Sequence, residues 1–113
     1  MHEYSLVSAL MDRVEREARA RSALAVHKLT VRIGALAGVE PELFRSAFSL
    51  VREGTLCAEA ELLVERVEAL WACGRCERTI PPGEVLSCPQ CATPARLVSG
   101  GEIVLERIEM EVP

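Results

Sequence analysis

Cys73-Gly74-Arg75-Cys76, eleven further residues, then Cys88-Pro89-Gln90-Cys91 is the stretch that organises this chain of 113 residues. A CxxC turn places two sulfurs near enough to share one metal, with backbone amides directed at them. Two such turns complete the four ligands, at ~2.3 Å, that a tetrahedral Zn²⁺ ion takes. Between the pairs only Ile80, Val85 and Leu86 are large and apolar, too little for a core, so the ion takes the core's place. Structural zinc contributes roughly 10–16 kcal/mol in small peptides near neutral pH, far beyond what three side chains supply. A rubredoxin-type iron site uses the same four ligands and is the nearest rival. A thioredoxin-like redox pair needs a CxxC that opens a helix after a strand, and neither pair sits there. Two disulfides would suit a secreted chain. Cys73, Cys76, Cys88 and Cys91 are therefore expected to be zinc ligands.

Outward from the cysteines, residues 72–98 hold four of the five cysteines and four of the six prolines, with little periodicity. Pro81-Pro82-Gly83 marks a turn at the middle. The flanks are regular. Leu6, Val7, Leu10, Met11, Val14 and Ala18 recur at helical spacing over Ser5–Ala20. Ala25–Ile33 alternates, with Ala25, His27, Leu29, Val31 and Ile33 on one face, and Gly34 ends the strand. Pro41 suits the first turn of a second helix whose stripe is Leu43, Phe44, Ala47, Phe48 and Val51, with Gly54 as its stop. Glu61–Trp71 reads as a second strand. Ile103–Val112 reads as a third, with Val104, Ile108, Met110 and Val112 as its apolar face. The cysteine segment is thus a small module inserted between two strands.

Half of the residues are apolar but only 4% are aromatic, so the core must be built from Leu, Val, Ile and Ala. The formal net charge is −4, and four thiolates with one zinc ion take it to about −6. Scattered Lys and Arg in so acidic a chain give no footprint for nucleic acid and no basic face for a membrane surface. No run approaches the ~20 apolar residues of a membrane span. Asp12, Arg13, Glu15, Arg16 and Glu17 interrupt any signal-peptide core. With paired free thiols, this points to a reducing compartment, the cytoplasm.

The chain opens Met1-His2-Glu3. A histidine in second position can chelate through Nδ1, its own backbone nitrogen and the terminal amine, in fused rings. Deprotonated amide nitrogen is a strong in-plane donor that favours square-planar Ni²⁺ or Cu²⁺ over zinc. Glu3 could add an amide nitrogen or a carboxylate. By itself the signal is weak, because many chains carry a histidine near one end and bind nothing there. His27, on the apolar face of its strand, reads as a core histidine rather than a ligand. Trp71 reads as a packing plug at the base of the cysteine module. Cys57, between Leu56 and Ala58, reads as a small buried hydrophobe or a free surface thiol rather than a ligand. The acidic run Glu102–Glu111 reads as a solvated strand face. No Ser/His/Asp set and no phosphate loop is present, so no enzymatic activity is expected.

Taken together, these residues resemble the HypA-type nickel metallochaperones of NiFe-hydrogenase maturation along essentially the whole chain. The resemblance is carried by Met1-His2-Glu3-x-Ser5-Leu6, Val31-Arg32-Ile33-Gly34, Gly38-Val39-Glu40-Pro41-Glu42, Phe44-x-x-Ala47-Phe48, Gly54-Thr55, Ala60-Glu61-Leu62, both CxxC pairs and Gly101-Glu102. It implies an α/β protein of the α+β type, with two helices packed on a three-stranded mixed sheet and an inserted zinc-ribbon module. Residues 1–71 and 99–113 would form the nickel-binding domain and 72–98 the zinc-binding one. It implies His2 as the main Ni²⁺ ligand with Met1 and Glu3 assisting, and the four cysteines around structural Zn²⁺. It further implies delivery of nickel to the immature hydrogenase large subunit with a HypB-type GTPase; some relatives also serve urease. A monomer or weak homodimer is expected. Three departures stand out: Tyr4 where Leu or Met is commoner, Ala92 where Gly often follows the last cysteine, and no histidine in Leu97-Val98-Ser99-Gly100. Water, a Glu3 group or a partner's residue is then left for the fourth nickel position. A zinc-ribbon adaptor that binds protein partners without moving nickel is the alternative function.

Overall fold

The computed structural model describes residues 2–81, 83 and 85–113. Its first helix, α1 (His2–Ala20), buries Val7, Met11, Val14 and Ala18 and half-buries Leu6 and Leu10. It starts three residues before the expected Ser5. The cause is Glu3, whose carboxylate accepts the Glu40 N–H at 3.2 Å and so draws the first turn onto the rest of the protein. An acidic side chain also suits the positive end of a helix.

Glu40 is the N-cap of the second helix, α2 (Pro41–Val51), with proline at its start as expected. Farther along α1, Glu15 Oε1 accepts the Leu56 N–H at 3.0 Å, just past the end of α2. The two helices therefore lie side by side and parallel, start to start and end to end. Phe44, Ala47 and Phe48 are buried, whereas Leu43 is exposed, so the apolar stripe of α2 is narrower than its sequence suggests.

Both helices pack on one three-stranded sheet of order β2-β1-β6. The central strand β1 (Ala25–Gly34) pairs parallel with β2 (Glu61–Val67) and antiparallel with β6 (Ile103–Glu111). The sheet is mixed, as expected, because the β1–α2–β2 crossover returns the chain in the same direction. Leu29, Val31 and Ile33 meet Val7, Phe44 and Phe48 in the core.

Two expectations about faces fail, both because of β-bulges. The β1–β6 register jumps from Val26↔Met110 to Lys28↔Glu109, which leaves His27 as the extra residue. His27 is therefore not a core histidine: its side chain is 59% exposed and its Nε2 lies 3.3 Å from Glu111 Oε1. A second jump, from Thr30↔Arg107 to Val31↔Leu105, leaves Glu106 extra on β6. The residues of β6 that pack on the core are Ile103, Leu105, Ile108 and Met110. Val104, expected inside, is exposed, as is Val112 beyond the strand's end.

The single strand expected over Glu61–Trp71 is broken after Val67. β3 (Leu70–Cys73) belongs to a second, antiparallel sheet of order β4-β3-β5, with β4 (Thr79–Ile80) and β5 (Ala95–Ser99). Trp71 faces Ile80 and Leu97 across it, in keeping with a plug. In the Pro81-Pro82-Gly83 turn, Pro82 lies outside the described residues; Gly83 has φ +84°. No helix among the described residues is long and apolar enough to cross a membrane.

The two links between the sheets, around Glu68–Ala69 and Gly100–Glu102, cross at Gly34. Ala35 N–H donates to Val67 O and Leu36 N–H to Gly100 O, each at 2.8 Å. A Cβ on Gly34 would lie 2.3 Å from the Gly100 carbonyl, so only glycine fits. Gly34→Ala should lower stability by about 2–3 kcal/mol, as overpacking against rigid backbone does. Urea denaturation of the two proteins measures it; equal midpoints would show that the links yield freely.

Candidate metal centre

Each cysteine pair forms a knuckle with the same hydrogen bonds. In the first, Cys73 N–H donates to Arg78 O at 2.8 Å and Glu77 N–H to Cys73 O at 3.0 Å; in the second, Cys88 N–H donates to Thr93 O at 2.9 Å and Ala92 N–H to Cys88 O at 2.8 Å. In both, the residue after the second cysteine turns left-handed, Glu77 at φ +59° and Ala92 at φ +56°. The backbone thereby curls its amides round the leading sulfur: Arg75 and Cys76 N–H donate to Cys73 Sγ at 3.3 and 3.4 Å.

The four sulfurs all lie within 4.8 Å of one another. Between the knuckles, the Cys73 and Cys91 sulfurs lie 3.3 Å apart and those of Cys76 and Cys88 3.6 Å apart. A tetrahedron of sulfurs ~2.3 Å from zinc has edges of ~3.8 Å, so the set fits such an ion with small adjustments. Backbone amides, those of Cys76 and Arg75, hold the Cys73 thiol below its ordinary pKa. The Arg78 amide does the same for Cys76, and the Thr93 hydroxyl and amide for Cys91. The amides of Cys91 and Gln90 pull Cys88 down too, but burial and the neighbouring thiols leave it raised. Donors that favour thiolate favour metal binding. Around the cluster, Val85 is 78% exposed and Leu86 also faces solvent, with Ile80 buried, so little apolar packing supports the module.

The amino-terminal residues are assembled differently. His2 begins α1 with its side chain 59% exposed, and its Nδ1 lies 3.8 Å from the Glu3 carboxylate, which is almost fully covered. The amide of Glu40 holds the Glu3 carboxyl below its ordinary pKa, with its own amide and His2 assisting against burial. Met1 lies outside the described residues. The role of the Glu40 amide has no mark in the sequence, because a backbone amide carries no side-chain signature. Cys57 is fully buried after α2, apart from the cluster, and burial, with Glu15 assisting and Arg52 opposing, pushes its thiol up to about 11.

Fold and site together define an α+β protein with a four-thiol metal centre on its second sheet and an imidazole at the start of its first helix. A family model described as "Hydrogenase/urease nickel incorporation, metallochaperone, hypA" matches residues 1–110, and the chain belongs to that family. It is similar to the hydrogenase maturation factor HypA of Wolinella succinogenes, with 40% identity over 98% of this chain and 96% of that one. The HypA of Aquifex aeolicus is 37% identical over 99% of both chains. Among solved structures, the Ni metallochaperone HypA from Helicobacter pylori has a TM-score of 0.75 at 29% identity, covering 98% of each chain. Another HypA solution structure reaches 0.82 at 29% identity, over 100% of this chain and 98% of that one.

The left-handed conformation costs an alanine roughly 1–2 kcal/mol. Ala92→Gly, after glycine's larger unfolded-state entropy is allowed for, should strengthen the metal-loaded module by about 1 kcal/mol. Slower metal extraction by a chelator is the readout; unchanged extraction would mean the knuckle is not strained there.

Proposed function

We propose that this protein carries Ni²⁺ at its amino terminus and delivers it to the immature hydrogenase large subunit, working with a HypB-type GTPase. Beyond family membership, the observation that carries the reading is that α1 begins at His2. The first amides of a helix have no partner within it, so nickel can take the His2 nitrogen without breaking a helical hydrogen bond. The His2 imidazole is exposed beside it. The Met1 amine would complete the fused rings. The Glu3 carboxylate accepts the Glu40 amide through one oxygen, so Glu3 can add its other carboxylate oxygen or its backbone nitrogen. A site at a solvent-reachable chain end suits release, since few groups must move. Cu²⁺ binds more tightly than Ni²⁺ to such donors, so selection rests on copper scarcity and partner docking.

Cys73, Cys76, Cys88 and Cys91 hold a structural Zn²⁺ in this reading, which stabilises the module without taking part in transfer. The division of labour is residues 1–71 and 99–113 for nickel and 72–98 for zinc. The protein has no catalytic role of its own, works in the cytoplasm, and binds neither nucleic acid nor membranes.

Untagged protein beginning at Met1 should bind about one Ni²⁺ per chain in calorimetric titration, and His2→Ala none at the terminus. One extra residue before Met1 should weaken binding, because the amine becomes a peptide nitrogen. Loaded wild-type protein should restore nickel to hydrogenase precursor, and His2→Ala should not. Equal nickel stoichiometry in the two proteins would leave only a zinc-bearing adaptor.

A further inference from the structure

The cysteine module has one property that metal binding does not use. Its sulfurs form two couples, each spanning the two knuckles: Cys73 with Cys91 at 3.3 Å, and Cys76 with Cys88 at 3.6 Å. Each couple joins a covered residue to one that solvent reaches. Cys73 and Cys88 are 0% and 1% exposed, whereas Cys76 is exposed and Cys91 half-exposed. An oxidant arriving from solvent meets one sulfur of each couple first and leaves the second in contact with it. A sensor thiol beside a resolving thiol passes from sulfenic acid to disulfide in this way.

Geometry also selects the pairing. Disulfide sulfurs lie ~2.05 Å apart, so each couple must close by roughly 1.3–1.6 Å. The knuckles can approach one another by that much as separate turns. A bond inside one CxxC would instead have to form within a turn already closed by its own hydrogen bonds, Glu77 N–H to Cys73 O and Ala92 N–H to Cys88 O. The cross-knuckle bonds also tie the points that a metal ion ties. They join residues 18 and 12 positions apart, and such closures restrict the unfolded chain. Loss of the ion by oxidation would therefore leave the module stapled.

We propose that the cysteine module is a peroxide-responsive switch, in which its thiolates convert to two disulfides, Cys73–Cys91 and Cys76–Cys88, and Zn²⁺ is set free. The switch rests on the reading of these cysteines as zinc ligands. In each couple the accessible thiolate attacks one oxygen of hydrogen peroxide. The O–O bond breaks, and the departing hydroxide takes a proton to become water. The covered thiolate then attacks the sulfenic sulfur, forming the S–S bond and expelling a second hydroxide, protonated in turn. Four thiolates, two peroxides and four protons thus give two disulfides and four waters. A dithiol reductant reverses the change by exchange. Cys57, fully buried away from the cluster, takes no part.

Full-length, untagged, reduced and zinc-loaded protein is mixed with excess hydrogen peroxide at neutral pH beside a chromogenic zinc indicator. About one ion per chain should appear, at least about tenfold faster than without peroxide. After alkylation in denaturant, tandem mass spectrometry should find the two named disulfides and alkylated Cys57. Dithiothreitol with zinc should restore the starting mass and zinc content. Trp71, the only tryptophan, faces Ile80 and Leu97 in the module's sheet. Its emission should hold in the oxidised protein and shift red in reduced protein stripped of zinc by a chelator. Reduced protein that takes up no zinc overturns the zinc reading, and the switch with it. Zinc-loaded protein overturns the switch alone if it keeps its ion in peroxide, pairs its cysteines otherwise or between chains, or proceeds to sulfinic acid. So does a red shift of Trp71 on oxidation.

Discussion

A carboxylate from the third residue, accepting an amide at the mouth of another helix, fixes where this protein's amino end lies. The Glu3–Glu40 hydrogen bond ties down the first turn of α1, and chain ends are ordered only when tied down. Charge–dipole attraction adds to the contact, because the carboxylate sits at the positive ends of both α1 and α2. Glu15 repeats the device farther on by accepting the Leu56 amide. With both ends of α1 registered against α2, the exposed His2 imidazole is held at a defined place on the surface rather than on a free tail.

Much of this was legible in the sequence. The periods of both helices, Pro41 at a helix start and the cysteine spacing are local signals, and local physics decides them. What was not legible is set by partners distant in sequence. His27 and Leu29 sit two apart on an alternating run, yet one faces solvent because β6 skips a residue opposite. The same holds for Val104, whose face is decided by the bulge at Glu106. The break after Val67 has no local mark either. The apolar run continues through Leu70 and Trp71, and only the crossing of the Gly100 link beneath Glu68–Ala69 separates the two strands. Glu3 shows the same limit, since its partner is a backbone amide, which any residue could supply.

The two candidate metal sites are built on opposite principles. Around the cysteines, backbone amides and left-handed turns converge on sulfur from both knuckles, so the ligands are preorganised and partly enclosed. At the amino end, the candidate donors are backbone nitrogens that helix formation leaves over, a Glu3 carboxylate oxygen and one exposed imidazole. The fifth thiol stands apart from both. Cys57 is fully buried, with its thiol pushed up to about 11 by that burial, so its sulfur lies out of reach of a passing metal ion.

The crossing at Gly34 has a mechanical side. The molecule measures 56 × 29 × 17 Å, and its second sheet is joined to the first by two peptide links that meet at one point. That makes the sulfur cluster the far arm of a lever and the Gly34–Gly100 contact its fulcrum. The short arm is the segment from Ala35 to Glu40, bonded to the crossing at one end and to Glu3 at the other. By that geometry, a tilt too small to disturb either sheet would swing the knuckles widely, while the hydrogen bonds of Ala35 and Leu36 keep the Ala35–Glu40 segment at the pivot.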